Sequence, residues 1–151
     1  MKIHNIVISA FSNREDAEKT KQCIAKILPS GSGEKIKIEE REIEPETDGG
    51  IFVKSLREVK VKLTNQKLIN DFLKNLLKNL DTVDREKLKK EIEKRMDDNC
   101  NFYIRLSKDD AMNGIFTLQP KDPIHVKIKV ATFPVKKEAG VKVMGEILDG
   151  K

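Results

Sequence analysis

The chain has 151 residues, of which 38% are hydrophobic and 36% charged, with a formal net charge of +5 and a pI near 9.1. This length suits one domain, and such a domain folds without a disulfide framework. No stretch approaches the roughly 18 apolar residues of a membrane span, and Cys23 and Cys100 lack metal-type spacing, so we expect buried free thiols and a cytoplasmic protein.

The excess of basic residues is compatible with a polyanionic partner such as nucleic acid or an acidic membrane surface. Only six of the 30 basic residues are arginine. Lysine and glutamate enrichment is typical of heat-adapted organisms, although genome base composition produces the same bias.

The first third of the chain predicts a strand, a helix and a second strand. Residues 3–11 are rich in β-branched residues and apolar on both faces, which is typical of a central strand. Ser12 and Glu15 form a predicted capping box that opens a helix ending at Leu28-Pro29. Lysine and isoleucine alternate from residue 35, which predicts a half-buried strand over 35–43.

A turn at Asp48-Gly49-Gly50 leads to a predicted strand over 51–63. Two helices follow, over 65–80 with a broad apolar face and over 84–97 with a narrow stripe. The stripe consists of Leu88, Ile92 and Met96, and Asp84 is the predicted N-cap of the second helix.

The last third predicts strands at 102–106, 115–118 and 124–133, with an Asn113-Gly114 turn before the second of them. A weak helix over 136–148, interrupted by two glycines, closes the chain. These elements predict one α+β domain over residues 1–151, with a mixed or antiparallel sheet and helices packed mainly on one face.

The sequence carries no constellation typical of an enzyme. His4 and His125 lie on different strands, and no serine or cysteine has a nucleophile-elbow context. Asp97-Asp98 and Asp109-Asp110 could meet around a hard cation, but two solvated acidic turns explain them better. We therefore predict no catalytic residues, no metal site and no cofactor.

Lysines alternate with aliphatic residues in three predicted strands. Because side chains on a strand alternate between faces, the lysines would converge on one open side of a shared sheet and could meet phosphates. The alternative is that they only decorate solvent faces and protect edge strands. The lysines are Lys35 and Lys37, Lys60 and Lys62, and Lys127 and Lys129, with His125 in phase with the last pair.

Aromatic residues are scarce, with six Phe, one Tyr and no Trp. Single-strand binders usually display stacking aromatics. Phe102-Tyr103 is the only adjacent aromatic pair, and at least one of its members must be core. This composition favours recognition of a backbone or a shape over base stacking.

The stretch from Arg95 to Val130 is the most distinctive. It contains Arg95-Met-Asp-Asp, then Phe102-Tyr-Ile-Arg-Leu-Ser-Lys108, then Ala111, Gly114 and Asp122-Pro-Ile-His-Val-Lys-Ile-Lys129. It resembles an archaeal family of predicted RNA-binding proteins, described as exosome-associated, with a double-stranded-RNA-binding-like fold related to the ribosomal protein that contacts 5S RNA. The chain departs from that family at Ser107, where an acidic residue is usual, and at the turn over 48–50.

Together the pattern and the resemblance imply a non-catalytic RNA-binding protein, accessory to RNA processing or degradation. It would contact phosphates and shape, with base identity secondary. The predicted RNA-binding residues are Arg105, Lys108, Lys127 and Lys129, followed by Lys60, Lys62 and Arg95.

Two alternatives stay open. Arg105 could instead pair with Asp97 or Asp98 and hold the corner between helix and strand. The whole chain could be a protein–protein adaptor or a dimerising subunit of an RNA-processing complex, in which the acidic segment 34–48 suits a basic partner. The expected partners are therefore RNA, subunits of such a complex, or a second copy of the chain, and no membrane.

Overall fold

The computed structural model describes residues 2–29, 36–43 and 56–150. Within these ranges it contains one antiparallel sheet with the strand order β2-β3-β1-β5-β4. The predicted α+β class is confirmed, and of the two sheet types left open, the antiparallel one is correct. The elements are β1 (Ile3–Ser12), α1 (Ala17–Ile27), β2 (Glu39–Ile43), β3 (Leu56–Leu63), α2 (Gln66–Asn79), α3 (Thr82–Lys90), α4 (Ile92–Arg95), β4 (Asn101–Leu106), α5 (Lys108–Ala111), β5 (Ile124–Val130) and α6 (Lys137–Leu148).

Strand β1 lies at the centre of the sheet, as its apolar composition predicted. It pairs with β3 on one side and β5 on the other. Ile6, Ile8 and Ala10 are fully buried on one face, and the residues between them are half-buried on the other. This alternation places the hydrophobic core on one side of the sheet.

The helices cover that buried face. Helix α1 contacts β1 and β3, α2 contacts β1, and α6 contacts β5. The predicted apolar face of α2 is confirmed, because Ile69, Phe72 and Leu76 are fully buried. Asn65 caps this helix, since its side chain accepts hydrogen bonds from the backbone N–H groups of residues 67 and 68. On the opposite face, within the described residues, the side chains of Lys60 and Lys62 on β3 and of Lys127 on β5 are exposed.

The predicted capping box at the start of α1 is wrong. Ser12 is the last residue of β1, where it pairs with Arg57 and is buried. Pairing with β3 therefore keeps Ser12 in the strand, although the local sequence predicted it as a helix cap. Instead the side chain of Asn13 accepts a hydrogen bond of 2.8 Å from the backbone of Asp16, one residue before the helix.

The predicted helix over 84–97 is two helices, α3 and α4, which meet at Glu91. The N-cap is Asp81, not Asp84, because the Asp81 carboxylate accepts from the backbone N–H of Asp84 at 2.7 Å. The predicted apolar stripe of this segment is confirmed, since its three members are all buried.

Several strand boundaries differ from the prediction. Residues 36–38 are not in a strand, and β2 begins at Glu39 with mostly exposed side chains. Residues 115–118 form no strand beyond one bridge between Leu106 and Leu118, and β5 ends at Val130. The predicted turn over 48–50, Lys35 and residues 51–55 lie outside the described residues.

Both cysteines are buried and free, as predicted. Gly114 has a φ of +71°, which explains the glycine of the predicted Asn113-Gly114 turn, because side chains rarely adopt that conformation. In the described ranges, no helix is both long enough and apolar enough to cross a bilayer.

Candidate functional site

The open side of the sheet carries a cluster of cations, four of them exposed and Lys129 half-buried, which we call the basic sheet face. It consists of Lys60 and Lys62 on β3, Lys127 and Lys129 on β5, and Arg105 on β4. In each strand these residues alternate with fully or almost fully buried ones. The alternation seen in the sequence therefore does bring the lysines of β3 and β5 to one side of one sheet. Lys37, in contrast, precedes β2 and belongs to no strand.

The register aligns these cations in rows across the sheet. Val7 of β1 pairs with Lys62 on one side and with Lys127 on the other. Ser9 pairs in the same way with Lys60 and His125. Lys62 and Lys127 are two strands apart, which is a separation of about 10 Å between their backbones. Because the β1 residue between them is uncharged, no carboxylate lies between the two lysines in this row.

The cations of the basic sheet face make no ion pair with any described residue. The nearest acidic side chain in register is Glu39, which pairs across the β2–β3 ladder with Lys60. Glu58 is occupied by Arg41, whose guanidinium donates to it at 2.7 Å. The uncompensated positive charge is therefore greatest toward β5 and β4.

Arg105 projects from β4 beside His125 of β5. The alternative in which it pairs with Asp97 or Asp98 finds no ion pair among the described residues, and Asp97 uses its carboxylate elsewhere. That carboxylate accepts from the backbone and the side-chain amide of Asn101 at 2.9 and 3.1 Å, and from the hydroxyl of Tyr103 at 2.9 Å. Arg105 thus presents its guanidinium to the open side.

Arg95 lies alongside β4, because its neighbour Met96 pairs with Phe102 in an antiparallel bridge. Its guanidinium donates to Glu91 at 2.9 Å and contacts the carbonyl oxygen of Tyr103 at 3.4 Å. The charge of Arg95 is therefore partly balanced by Glu91 before any ligand arrives.

Lys108 lies apart from the basic sheet face, at the start of α5. Its ammonium donates to the backbone carbonyl of Phe11 and to the carboxylate of Asp122, the latter at 2.9 Å. Only 15% of its side chain is exposed. These contacts tie the helical turn after β4 to the end of β1 and to the residue before Pro123.

His125 lies in the same row as Arg105, half-buried, with its ring packed edge-to-face against Phe11 at 6.2 Å between centroids. Burial, then the charges of Arg105 and Lys108, lower the pKa of His125 below its usual 6.5. The imidazole is therefore neutral at pH 7 and contributes hydrogen-bonding capacity, not charge, to the face.

Tyr103 is a residue of this face that sequence reasoning did not select. Of the aromatic pair, Phe102 is fully buried while Tyr103 is 40% exposed, in register with Lys127. Side chains two residues apart on a strand lie on the same face, so the alternation that predicts an outward Arg105 also predicts an outward Tyr103. Burial alone would raise the pKa of Asp97, but the hydrogen bonds from Asn101, Tyr103 and Asn99 outweigh burial and hold it below 3.8, so the hydroxyl of Tyr103 has a charged anchor.

Of the acidic pairs considered as a metal site, Asp97-Asp98 lies in the turn between α4 and β4, and Asp109-Asp110 lies in helix α5. Asp97 organises the turn between α4 and β4, and the backbone N–H of Asp110 is bonded to the side chain of Ser107, the N-cap of α5. Among the residues that the structure describes, no three metal-ligating side chains gather at one point.

Taken together, these features define an α+β protein with one helix-covered sheet face and one open, basic sheet face. A family model described as RNA binding matches residues 5–130. The chain belongs to this RNA-binding family, and the predicted resemblance to archaeal RNA-binding proteins is confirmed at that level.

Three similar proteins illustrate the relationship. A protein of Pyrococcus abyssi named RNA-binding protein PAB1135 is 35% identical over 153 residues, covering 100% of this chain and 97% of its own length. The crystal structure of AF2318 from Archaeoglobus fulgidus, a DUF54 protein, is 27% identical, with a TM-score of 0.82 over 97% of this chain and 99% of that one. The structure of Mth689, a DUF54 protein from Methanothermobacter thermautotrophicus, is 26% identical, with a TM-score of 0.75 over 98% of this chain and 99% of that one.

Proposed function

We propose that this protein binds RNA through the basic sheet face, without catalysing a reaction. One observation carries the proposal: Lys60, Lys62, Lys127, Lys129 and Arg105 share one open sheet face and make no ion pair within the described part of the chain. Membership in a family described as RNA binding supports the same ligand.

The chemistry of the face suits a phosphate backbone. Lysines present point charges on flexible stems, which accommodate phosphates without demanding one fixed geometry. Five cations on one face without ion-pair partners repel one another. A bound polyanion reduces this repulsion. Each phosphate that is neutralised also releases condensed counterions, which drives association and makes it salt-dependent.

The seven predicted contact residues carry unequal weight in this proposal. The five residues of the basic sheet face are available to a ligand, and Arg95 borders them with part of its charge used by Glu91. Lys108 is held by Phe11 and Asp122, so we propose that it supports the fold beside the face and does not touch RNA.

The adaptor alternative predicts a broad exposed apolar patch. In the residues described, the exposed large hydrophobics are spread along the chain from Leu56 to Val135, and the pair closest in sequence is Phe133 and Val135. This distribution favours the RNA proposal over a protein–protein adaptor.

The resemblance further suggests the biological setting. We propose that the RNA-binding activity is accessory to RNA processing or degradation, with exosome association as the specific expectation. The double-stranded-RNA-binding-like and ribosomal-protein-like character of the fold stays a prediction from that resemblance. Co-purification of exosome subunits with the tagged protein, after nuclease treatment, would test the association directly.

RNA binding itself is tested by measuring the dissociation constant for single-stranded and duplex RNA across a salt series. If all five cations engage phosphates of a single strand, the slope of log K against log salt is about −3.5, since each contact contributes about −0.7. The variant Lys127→Glu with Lys129→Glu removes two contacts and lowers that slope by about 1.4 in magnitude.

The matched control is Lys19→Glu with Lys26→Glu, which makes the same change of charge on α1, across the sheet from the basic face. Both lysines are exposed and neither forms an ion pair with a described residue. Equal losses of affinity in the two double variants would mean that net charge, not the sheet face, governs binding. No binding by the parent protein at low salt would overturn the proposed function.

A further inference from the structure

The basic sheet face continues at its β4 edge into a cleft of about 480 Å³, which we call the β4 cleft. Three segments line it: the outward residues of β4, the facing side of α3 and α4, and the residues 118–120 that run beside β4. Its volume falls within the range of about 300–1,000 Å³ typical of small-ligand sites. It is the continuation of the same surface, because Arg105 belongs to both and Tyr103 lies in register with Lys127 of the basic sheet face.

The charge of the β4 cleft is positive. Four cations line it, Lys87, Lys94, Arg95 and Arg105, against the two carboxylates of Glu91 and Asp97. Glu91 is paired with Arg95, and Asp97 is surrounded by hydrogen-bond donors from the turn and from Tyr103. An anionic group entering the cleft therefore meets cations and no free carboxylate among the residues lining it.

Part of the wall of the cleft is apolar. Met96, Leu118 and Pro120 line it together with the ring of Tyr103. Tyr103 is held in place at its hydroxyl, which donates to Asp97 at 2.9 Å, while 40% of the residue stays exposed. An aromatic ring that is anchored at its polar end and open at its side loses little conformational entropy when a ligand stacks on it.

We infer that the β4 cleft takes one unpaired RNA base, stacked on Tyr103, while the neighbouring phosphates lie on Arg105 and the basic sheet face. A flat apolar group flanked by negative charge matches an apolar wall flanked by cations. Proteins commonly hold unpaired bases by stacking them on aromatic rings. From the cleft at the edge strand β4, the RNA backbone can continue across the lysines of the neighbouring strand β5. This inference rests on the proposed function and specifies its ligand as RNA with at least one unpaired nucleotide.

The inference differs from what the amino-acid composition predicted. Scarce aromatics favoured backbone recognition without stacking, but one anchored tyrosine in a cleft is sufficient for one base. The composition also supplies the assay, because the chain has one Tyr and no Trp. Tyrosine emission from this protein reports on Tyr103 alone.

The experiment compares Tyr103→Phe with Tyr103→Leu. Both substitutions lose the hydroxyl bond to Asp97, and they differ in the aromatic ring. Affinities for a single-stranded oligoadenylate and for a blunt-ended RNA duplex of equal length are measured by fluorescence anisotropy of labelled RNA. Phe133→Leu is the control, because Phe133 is a fully exposed aromatic residue that does not line the cleft.

We expect Tyr103→Leu to bind oligoadenylate roughly 5- to 100-fold more weakly than Tyr103→Phe, as the loss of one base stack implies. Duplex affinity should be equal in the two variants and in the control. In the parent protein, oligoadenylate should quench the tyrosine emission, after correction with free tyrosine in the same RNA solution, and the duplex should leave it unchanged.

The outcomes separate the inference from the proposed function. If RNA binds but the Phe and Leu variants have equal affinity for oligoadenylate, no base stacks on Tyr103 and the inference is overturned while the proposed function stands. If Tyr103→Leu loses duplex and single-strand affinity alike while remaining folded, the ring does not read an unpaired base, which also overturns the inference. If the parent protein binds neither RNA at low salt, the proposed function fails first.

Discussion

Two glycines of the last helix, α6, provide a controlled test of core packing. A Cβ atom added at Gly140 would lie 2.9 Å from the sulfur and 3.2 Å from the Cβ of Cys100, and 3.4 Å from the sulfur of Met96. A Cβ added at Gly145 meets Ile92 at 3.8 Å, an ordinary van der Waals distance. The two glycines thus share a helix and differ in the space beside them.

Cys100 is not free to move away from an added methyl group. Its N–H donates to the carbonyl of Asp97 at 3.2 Å and its carbonyl accepts from Val130 at 2.9 Å. Its sulfur contacts the carbonyl of Lys136 at 3.2 Å and the hydroxyl of Thr132 at 3.5 Å. The residue is fully buried and has a φ of +64°, so its backbone is already held in an unfavourable conformation.

The expected free energies follow from two opposing effects. Replacing glycine by alanine inside a helix stabilises it by about 0.8–1.0 kcal/mol, whereas overpacking a well-packed core costs about 1–3 kcal/mol. Gly145→Ala should therefore raise the free energy of unfolding by up to about 1 kcal/mol. Gly140→Ala should lower it by up to about 2 kcal/mol, because it bears both effects.

The assay is urea denaturation with linear extrapolation to water, applied to both variants. Because the helix-propensity effect is common to the two substitutions, the difference between them isolates the packing cost. Two further variants complete a double-mutant cycle: Cys100→Gly alone, and Gly140→Ala combined with Cys100→Gly, which removes the blocking sulfur and places a glycine at a positive φ. The second of these is the variant in which the packing conflict is relieved. It should recover the loss, with a coupling energy of about 1–3 kcal/mol in a double-mutant cycle. Equal stabilisation by Gly140→Ala and Gly145→Ala would refute the reasoning.

Three further predictions concern single residues. Asp97→Asn should lower the free energy of unfolding by about 1–3 kcal/mol at pH 7, because it replaces a charged hydrogen-bond acceptor by a neutral one. Since the pKa of Asp97 lies below 3.8, the stability difference between the variant and the parent should shrink as pH falls below that value. A difference that does not change with pH would contradict this. Arg85→Ala should lower the free energy of unfolding by a similar amount, because the Arg85 guanidinium donates at 2.9 and 2.7 Å to the carbonyl of Leu148 at the end of α6. In thermal unfolding, Arg85→Lys should be more stable than Arg85→Ala, because lysine keeps one donor. His125→Asn should flatten the dependence of unfolding free energy on pH just below pH 6.5. Because the pKa of His125 is lowered in the folded state, the stability that its neutral form contributes is complete above pH 6.5 and is lost as pH falls toward the folded-state pKa. An unchanged pH dependence would contradict this.

The sequence by itself determined the elements whose pattern is repeated and local. Alternation of apolar and polar residues marks β3 and β5, β-branched composition marks β1, and the helical repeat marks α1 and α2, because these patterns are properties of each segment by itself. The same alternation determined which side chains face away from the core, Lys127 and Lys129 among them. The buried stripe of α3 and α4 was readable although the break at Glu91 was not.

Only the tertiary structure decided which of these elements are neighbours. The basic sheet face exists because β3 and β5, more than 60 residues apart in the chain, pair with the two edges of β1. Nothing in either strand specifies that partner, since strand pairing is decided by which arrangement buries the shared apolar face best.

Tertiary contacts also decided the roles of individual residues that local sequence left open or misassigned. Ser12 stays in a strand because pairing with β3 outweighs a cap, and Lys108 is held by Phe11 and Asp122, which lie 97 and 14 residues away in the chain. Arg105 and Lys108, three residues apart, looked equivalent in the sequence. The chain path around them leaves one guanidinium open to a ligand and encloses the other cation.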